Sequence, residues 1–115
     1  MVFRVVTVPC AVALALAPAE SVAAKKWTFC VASESAAKDV WITDVFSSAT
    51  RRESLEVELK AMLQRQGHLG VAAQCPQTSA DKVASINAQT AAEKFNLELG
   101  APLHAVPARD FPPRR

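Results

Sequence analysis

The sequence predicts a small α+β fold: a two-layer sandwich in the order β-β-α-β-α-(β), closed by one disulfide and preceded by a cleaved signal peptide. Three observations carry that expectation. Two segments following the apolar N terminus alternate like strands, two later segments carry helical stripes with start and stop signals, and only two cysteines lie beyond residue 24. At 115 residues the chain has room for one domain.

The N terminus sets the compartment. Met1–Arg4 supplies one positive charge, and Val5–Ala17 then runs uncharged with a growing Ala/Leu bias. As a helix this run spans about 20 Å against a hydrocarbon core of roughly 30 Å, and Pro9 interrupts it, so it reads as an export signal and not as a membrane span. Val22-Ala23-Ala24 before Lys25 places cleavage after Ala24, with Ala17-Pro18-Ala19 as the second candidate. Cys10 follows Pro9 and lacks the small preceding residue of a lipoprotein signal. The expected location is therefore exported, periplasmic or secreted, and the alternative is a retained N terminus at a membrane surface.

Cleavage removes Cys10 and leaves Cys30 and Cys75, an even pair in an oxidising compartment, so one disulfide is expected. Closing so long a loop stabilises a small fold by about 4 kcal/mol in the chain-entropy model. Neither cysteine belongs to a C-x-x-C motif, which argues against redox chemistry, and His68 and His104 have no spacing that suggests zinc. No metal or other cofactor is implied.

Trp27–Ser33 alternates Trp27, Phe29 and Val31 with Thr28, Cys30 and Ala32, as a half-buried strand does. Val40–Phe46 is β-branched and aromatic on both faces and reads as a central strand. Thr50 and Glu53 have capping-box spacing ahead of the stripe Leu55, Leu59, Met62 and Leu63, and Gly67 stops that helix. Leu69–Cys75 is a weaker strand limited by Pro76. Thr78 and Asp81 repeat the capping spacing before a second helix reaching about Leu99, whose stripe Ala80, Ala84, Ala88, Ala91, Phe95 and Leu99 is expected to sit on the sheet. Leu103–Val106 makes a short last strand. The domain boundaries are then 1–24 for the signal, 25–106 for the fold and 107–115 for a disordered tail.

Alternation also creates a tension. Cys30 shares a face with Thr28 and Ala32, and Cys75 with Val71 and Ala73, so their bond requires either that Cys75 lie past its strand end or that the first strand shift by one residue. Pro76 favours the first.

The candidate functional residues are few. Net charge is +2 with no basic stripe interleaved with aromatics, which excludes a nucleic-acid signature. Asp44 lies on the face of Val40, Ile42 and Phe46, where a carboxylate must be paired or protonated. It is expected to neighbour the next helix N terminus and Arg51 or Arg52, and the sharper reading makes it a general acid. Residues 47–52 and 77–79 would open at one sheet edge, where two helix N termini, hydroxyls and both arginines could take an anion or only cap helices. Trp41 and Thr43, with Val45, present an aromatic partner surface unless Trp41 is core. Ser47 and Ser48 lack a nucleophile elbow, so no catalytic residue is assigned and an enzyme is the less favoured reading.

Val40 to Gly67, with its VF-S turn, is faintly similar to the sporulation-related repeat domains that bind denuded peptidoglycan glycan strands. In that family the first strand leads straight into a helix, whereas here two strands come first, so no binding residues carry over. The expected function is a small exported, disulfide-stapled binding module for a protein or cell-envelope partner. The alternative is an anion-binding protein or enzyme using Asp44, Arg51 and Arg52.

Overall fold

A computed structural model describes residues 25–76 and 78–113. The expected signal segment, Gln77 and the two terminal arginines lie outside the described residues. The chain forms β1 (Lys26–Thr28), β2 (Val31–Glu34), β3 (Val40–Thr43), β4 (Phe46–Ser48), α1 (Arg52–Arg65), β5 (Val71–Gln74), α2 (Lys82–Glu98) and β6 (Leu103–Val106). This is a small α+β fold with two sheets, two helices and a Cys30–Cys75 disulfide.

Each of the first two expected strands is divided in two by a bend, and the halves join different sheets. The larger sheet has the order β5-β2-β3-β6, and β1 pairs with β4 in the smaller one. The register explains the bend. Val31 faces Ile42 in the larger sheet and Thr28 faces Phe46 in the smaller, so two residues on the first strand oppose the three residues 43–45 on the second. One extra residue in one strand is a β-bulge, which bends the strand and reverses the alternation beyond it.

The helices lie on opposite faces of the larger sheet. Leu55, Leu59 and Leu63 of α1 are buried with Cys30, Ala32, Trp41, Val71 and Cys75. On the other face Phe29, Val40 and Ile42 form a second cluster against which Ala92 of α2 packs. The cysteine tension dissolves in this geometry. β5 ends at Gln74, so Cys75 does lie past the strand end, and both cysteines face α1. The pairing of Val31 with Gln74 places Cys30 opposite Cys75 one position further on, with Cα atoms 4.1 Å apart.

Both helix starts differ from the capping-box expectation. Arg51 is the N-cap of α1 and makes no side-chain cap, because the Ser48 hydroxyl accepts from the Thr50 amide and holds that residue in the preceding turn. For α2 the cap is Asp81 itself, whose carboxylate accepts from the Val83 amide. The glycine stops hold. Gly67 adopts φ 98°, and the Gly67 and His68 amides donate to the Gln64 and Leu63 carbonyls, which is a Schellman ending.

The C-terminal segment corrects the expectation of a disordered tail. Phe111 is fully buried and meets Phe46 edge-on at 5.8 Å between ring centroids. Its lone aromatic ring among prolines outweighs the loop-like composition, because the bulge turns Phe46 toward α1 and leaves a site that Phe111 fills. Phe111→Ala is expected to cost about 3–5 kcal/mol in denaturant unfolding, where a disordered tail would give no change. Gly67→Ala is expected to cost about 1–2 kcal/mol through backbone conformation alone, since a Cβ there would meet nothing within 4 Å.

Candidate functional site

The bulge decides where the sequence candidates go. Trp41 and Thr43 are buried, with 7% and 0% exposure, so they form no open partner surface. Trp41 is a core residue under α1. Thr43 is internal because its hydroxyl accepts from the Cys30 amide at 2.8 Å and donates to the Asp44 carbonyl, replacing ladder bonds lost at the bulge. Val45 crosses to the cluster of Phe29, Val40 and Ile42, while Phe46 joins Trp41. Asp44, at the apex, is exposed instead of buried. Its carboxylate accepts from the Ala108 amide at 3.0 Å, so it anchors the C-terminal segment and not the helix N terminus.

Two histidines complete the Trp41 environment. The His68 ring lies 4.6 Å and the His104 ring 5.4 Å from Trp41 between centroids. The Schellman ending after α1 turns His68 back onto the indole, and β6 pairs His104 directly with Trp41. Each imidazole also meets a carboxylate: His68 Nδ1 is 3.3 Å from Glu34, and His104 Nε2 is 3.0 Å from Asp39. In the sequence neither histidine is distinguished by more than its lack of zinc-site spacing. Only the parallel pairing of β3 with β6, invisible in local pattern, brings His104 here.

The arginines are occupied locally. Arg52 Nη1 donates to the Cys75 carbonyl at 3.3 Å, and Glu56, one turn later, accepts from the Cys75 amide at 2.8 Å. Exposed Arg51 pairs with Glu53 at 3.6 Å. A hydrogen bond to its own backbone amide, helped by Arg51 and Arg52, holds the Glu53 carboxyl below the usual glutamate range. The stabilisation this implies is present at neutral pH and is lost as pH falls below the ordinary value of 4.5. Residues 47–48 and Ser79 do approach one edge, but Trp27 lies between them, pairing with Ser47 on one side and Ser79 on the other. A cleft of about 360 Å³ beside β5 is lined by Val31, Ser33, Glu56, Ala72, Ala73 and Gln74. Its carboxylate is the one already bound to Cys75.

The most distinctive surface is on α2. The side that packs carries polar residues beside Ala92: Ser85 is buried, and Gln89 Nε2 reaches the Thr43 carbonyl at 2.8 Å. The stripe Ala84, Ala88, Ala91, Phe95 and Leu99, expected on the sheet, faces solvent. Val83, Phe95, Leu97 and Leu99 are 60–67% exposed and Ile86 is 39% exposed. The reversal has a local cause. The bulge leaves the Thr43 carbonyl without a strand partner, and Gln89 satisfies it by turning its side of the helix inward.

No family model, curated protein or solved structure matches the chain. Among the described residues no helix is long and apolar enough to cross a membrane, and no group of three or more potential metal ligands is found. Glu56→Ala is expected to cost about 1–3 kcal/mol in chemical unfolding, because it strips the amide of a buried cysteine of its acceptor. Arg52→Ala, at an exposed side chain, is expected to cost less than about 1 kcal/mol.

Proposed function

We propose that the protein is a small exported, disulfide-stapled interaction module that acts by binding, and that its contact surface is formed by the exposed apolar flanks of α2. The observation that carries this reading is the exposure of Val83, Ile86, Phe95, Leu97 and Leu99 on one helix. They form two flanks of the helix, Val83, Ile86 and Leu97 along one and Phe95 and Leu99 along the other, and exposed apolar surface concentrated on one element of a small fold marks an interaction site. The helix is well placed for such work. The side that packs is held to the sheet by Ala92 and by the bond from Gln89 to the Thr43 carbonyl, so the exposed apolar residues stay outside without loosening the core.

Export is supported by the charged start, short apolar run and small-residue end of residues 1–24, together with the disulfide between Cys30 and Cys75. An envelope or extracellular partner follows from that location.

Intact mass of natively expressed protein, with and without reduction before thiol alkylation, tests the compartment. A chain beginning at Lys25 that is alkylated only after reduction is the expected product, and a full-length chain with three free thiols contradicts it. A photo-crosslinking residue at Phe95 tests the surface. Covalent adducts are expected there and not from the same group at Val57, which is comparably exposed on α1. Adducts at neither position would remove the reading. Thermal stabilisation by inorganic phosphate, abolished in Arg51→Ala plus Arg52→Ala, would move the site to the helix N termini.

A further inference from the structure

β6 is an outer strand of the larger sheet. The Val40 amide donates to the Pro102 carbonyl and the Asp44 amide to the Val106 carbonyl, so Pro102, His104 and Val106 turn their backbone groups toward β3. Leu103 and Ala105, of the other parity, point theirs off the free edge. Among the described residues these two amides and two carbonyls have no hydrogen-bond partner. Leu103 is half-buried and Ala105 exposed, and Pro102 and Pro107 bracket the open stretch. The side chains of the same two residues lie on the α2 side of the sheet, because Leu103 packs on the cluster that receives Ala92 while Val106 belongs to the α1 cluster.

β5 and β6 run in the same direction, and α2 connects them. A crossover of this kind is right-handed, which turns the flank of Val83, Ile86 and Leu97 toward the β6 edge. An unpaired edge and an exposed apolar flank therefore adjoin. Resting on the assignment of α2 as the contact surface, we infer that its partner is an extended peptide segment that adds to β6 as an antiparallel strand and lays alternate apolar side chains against Leu97 and Ile86. Backbone bonds to Leu103 and Ala105 fix the register, and the flank receives every second side chain, the two components of strand addition. Peptide residues opposite Leu103 and Ala105 share their face and so point at α2. From Leu97 back to Ile86 the helix rises about 16 Å, which an extended chain covers in about five residues.

A second copy of the chain fits this edge less well. Pairing β6 with itself through Leu103 and Ala105 puts the two-fold axis at His104. Only residues 99–102 separate β6 from α2, so that axis lies beside the C-terminal end of the helix and leaves Val83 and Ile86 uncovered. A separate strand that continues past Val106 covers Ile86 as well. Two pairs of backbone bonds and one apolar flank make a small contact, and the Kd for a short peptide is expected at roughly 0.05–1 mM.

The probe is a synthetic peptide, acetyl-Lys-Val-Thr-Val-Thr-Val-Lys-amide, added to isotope-labelled protein expressed from the full sequence, with its N terminus and disulfide verified by mass. The Leu103 and Ala105 amides are expected to shift in the NMR spectrum and to gain protection from hydrogen exchange. In the antiparallel register the valine amides donate to the edge and the threonine amides face solvent. The peptide methylated on its valine nitrogens should therefore bind at least about tenfold more weakly, and the peptide methylated on its threonine nitrogens should bind like the parent. Leu97→Lys, at a position 61% exposed, should keep the wild-type far-UV circular dichroism and weaken the parent peptide by about tenfold. Equal affinity for the two methylated peptides, with shifts confined to α2, overturns the inference and leaves α2 standing as the contact surface. Protection of Ala105 that grows with protein concentration alone assigns the edge to a second copy and also overturns it. If no peptide moves either Leu103 or Ala105 the inference fails, and adducts at position 95 then decide separately whether the reading of α2 survives.

Discussion

Cys75 is held from three directions. Its sulfur is bonded to Cys30, its amide donates to Glu56, and its carbonyl accepts from Arg52. It thereby joins β2, the end of β5 and the first two turns of α1 at one buried point. The covalent bond limits the freedom of the unfolded chain over a separation of 45 residues, which matters most where the core is small. The two side chains from α1 do something the bond cannot. They satisfy backbone groups exposed where Pro76 ends the strand, and they fix the angle at which the helix descends onto the sheet.

Cys30 extends this constraint to the bulge. Its amide donates to the Thr43 hydroxyl and its carbonyl accepts from the Thr43 amide, so the disulfide and the irregular residues 43–45 are adjacent parts of one arrangement. From there the consequences spread in both directions. Phe46 turns toward α1 and receives Phe111, Asp44 is left outside to bind Ala108, and the Thr43 carbonyl draws Gln89 of α2 inward. The inner side of α2 answers a backbone demand, and Val83, Ile86, Phe95 and Leu97 are left exposed on its flanks.

Much of this was legible in the sequence, for identifiable reasons. The alternation of Phe29 and Val31 against Cys30 and Ala32, the leucine stripe of α1, and the stops at Gly67 and Gly100 are local patterns, and each is present in the structure. The pairing of Cys30 with Cys75 followed from their even number. What escaped was set by tertiary contact. A one-residue bulge leaves no compositional trace in VWITDVF, yet it reverses Phe46 and exposes Asp44. The alanine stripe of α2 looked like a packing face because small residues suit close approach. Ser85 and Gln89 took that role once the sheet presented an unpaired carbonyl. Trp41 read equally well as surface or core, and its burial under α1, with His68 and His104 against its ring, decides it.

The account depends most directly on the disulfide, and denaturant unfolding of the oxidised and reduced protein in otherwise identical buffer measures its contribution. The oxidised form is expected to be more stable by about 4 kcal/mol, with the near-UV circular dichroism of buried Trp41 lost at lower denaturant after reduction. Equal midpoints for the two forms would contradict the account, because they would show that the sheet, the bulge and α1 assemble without the Cys30–Cys75 bond.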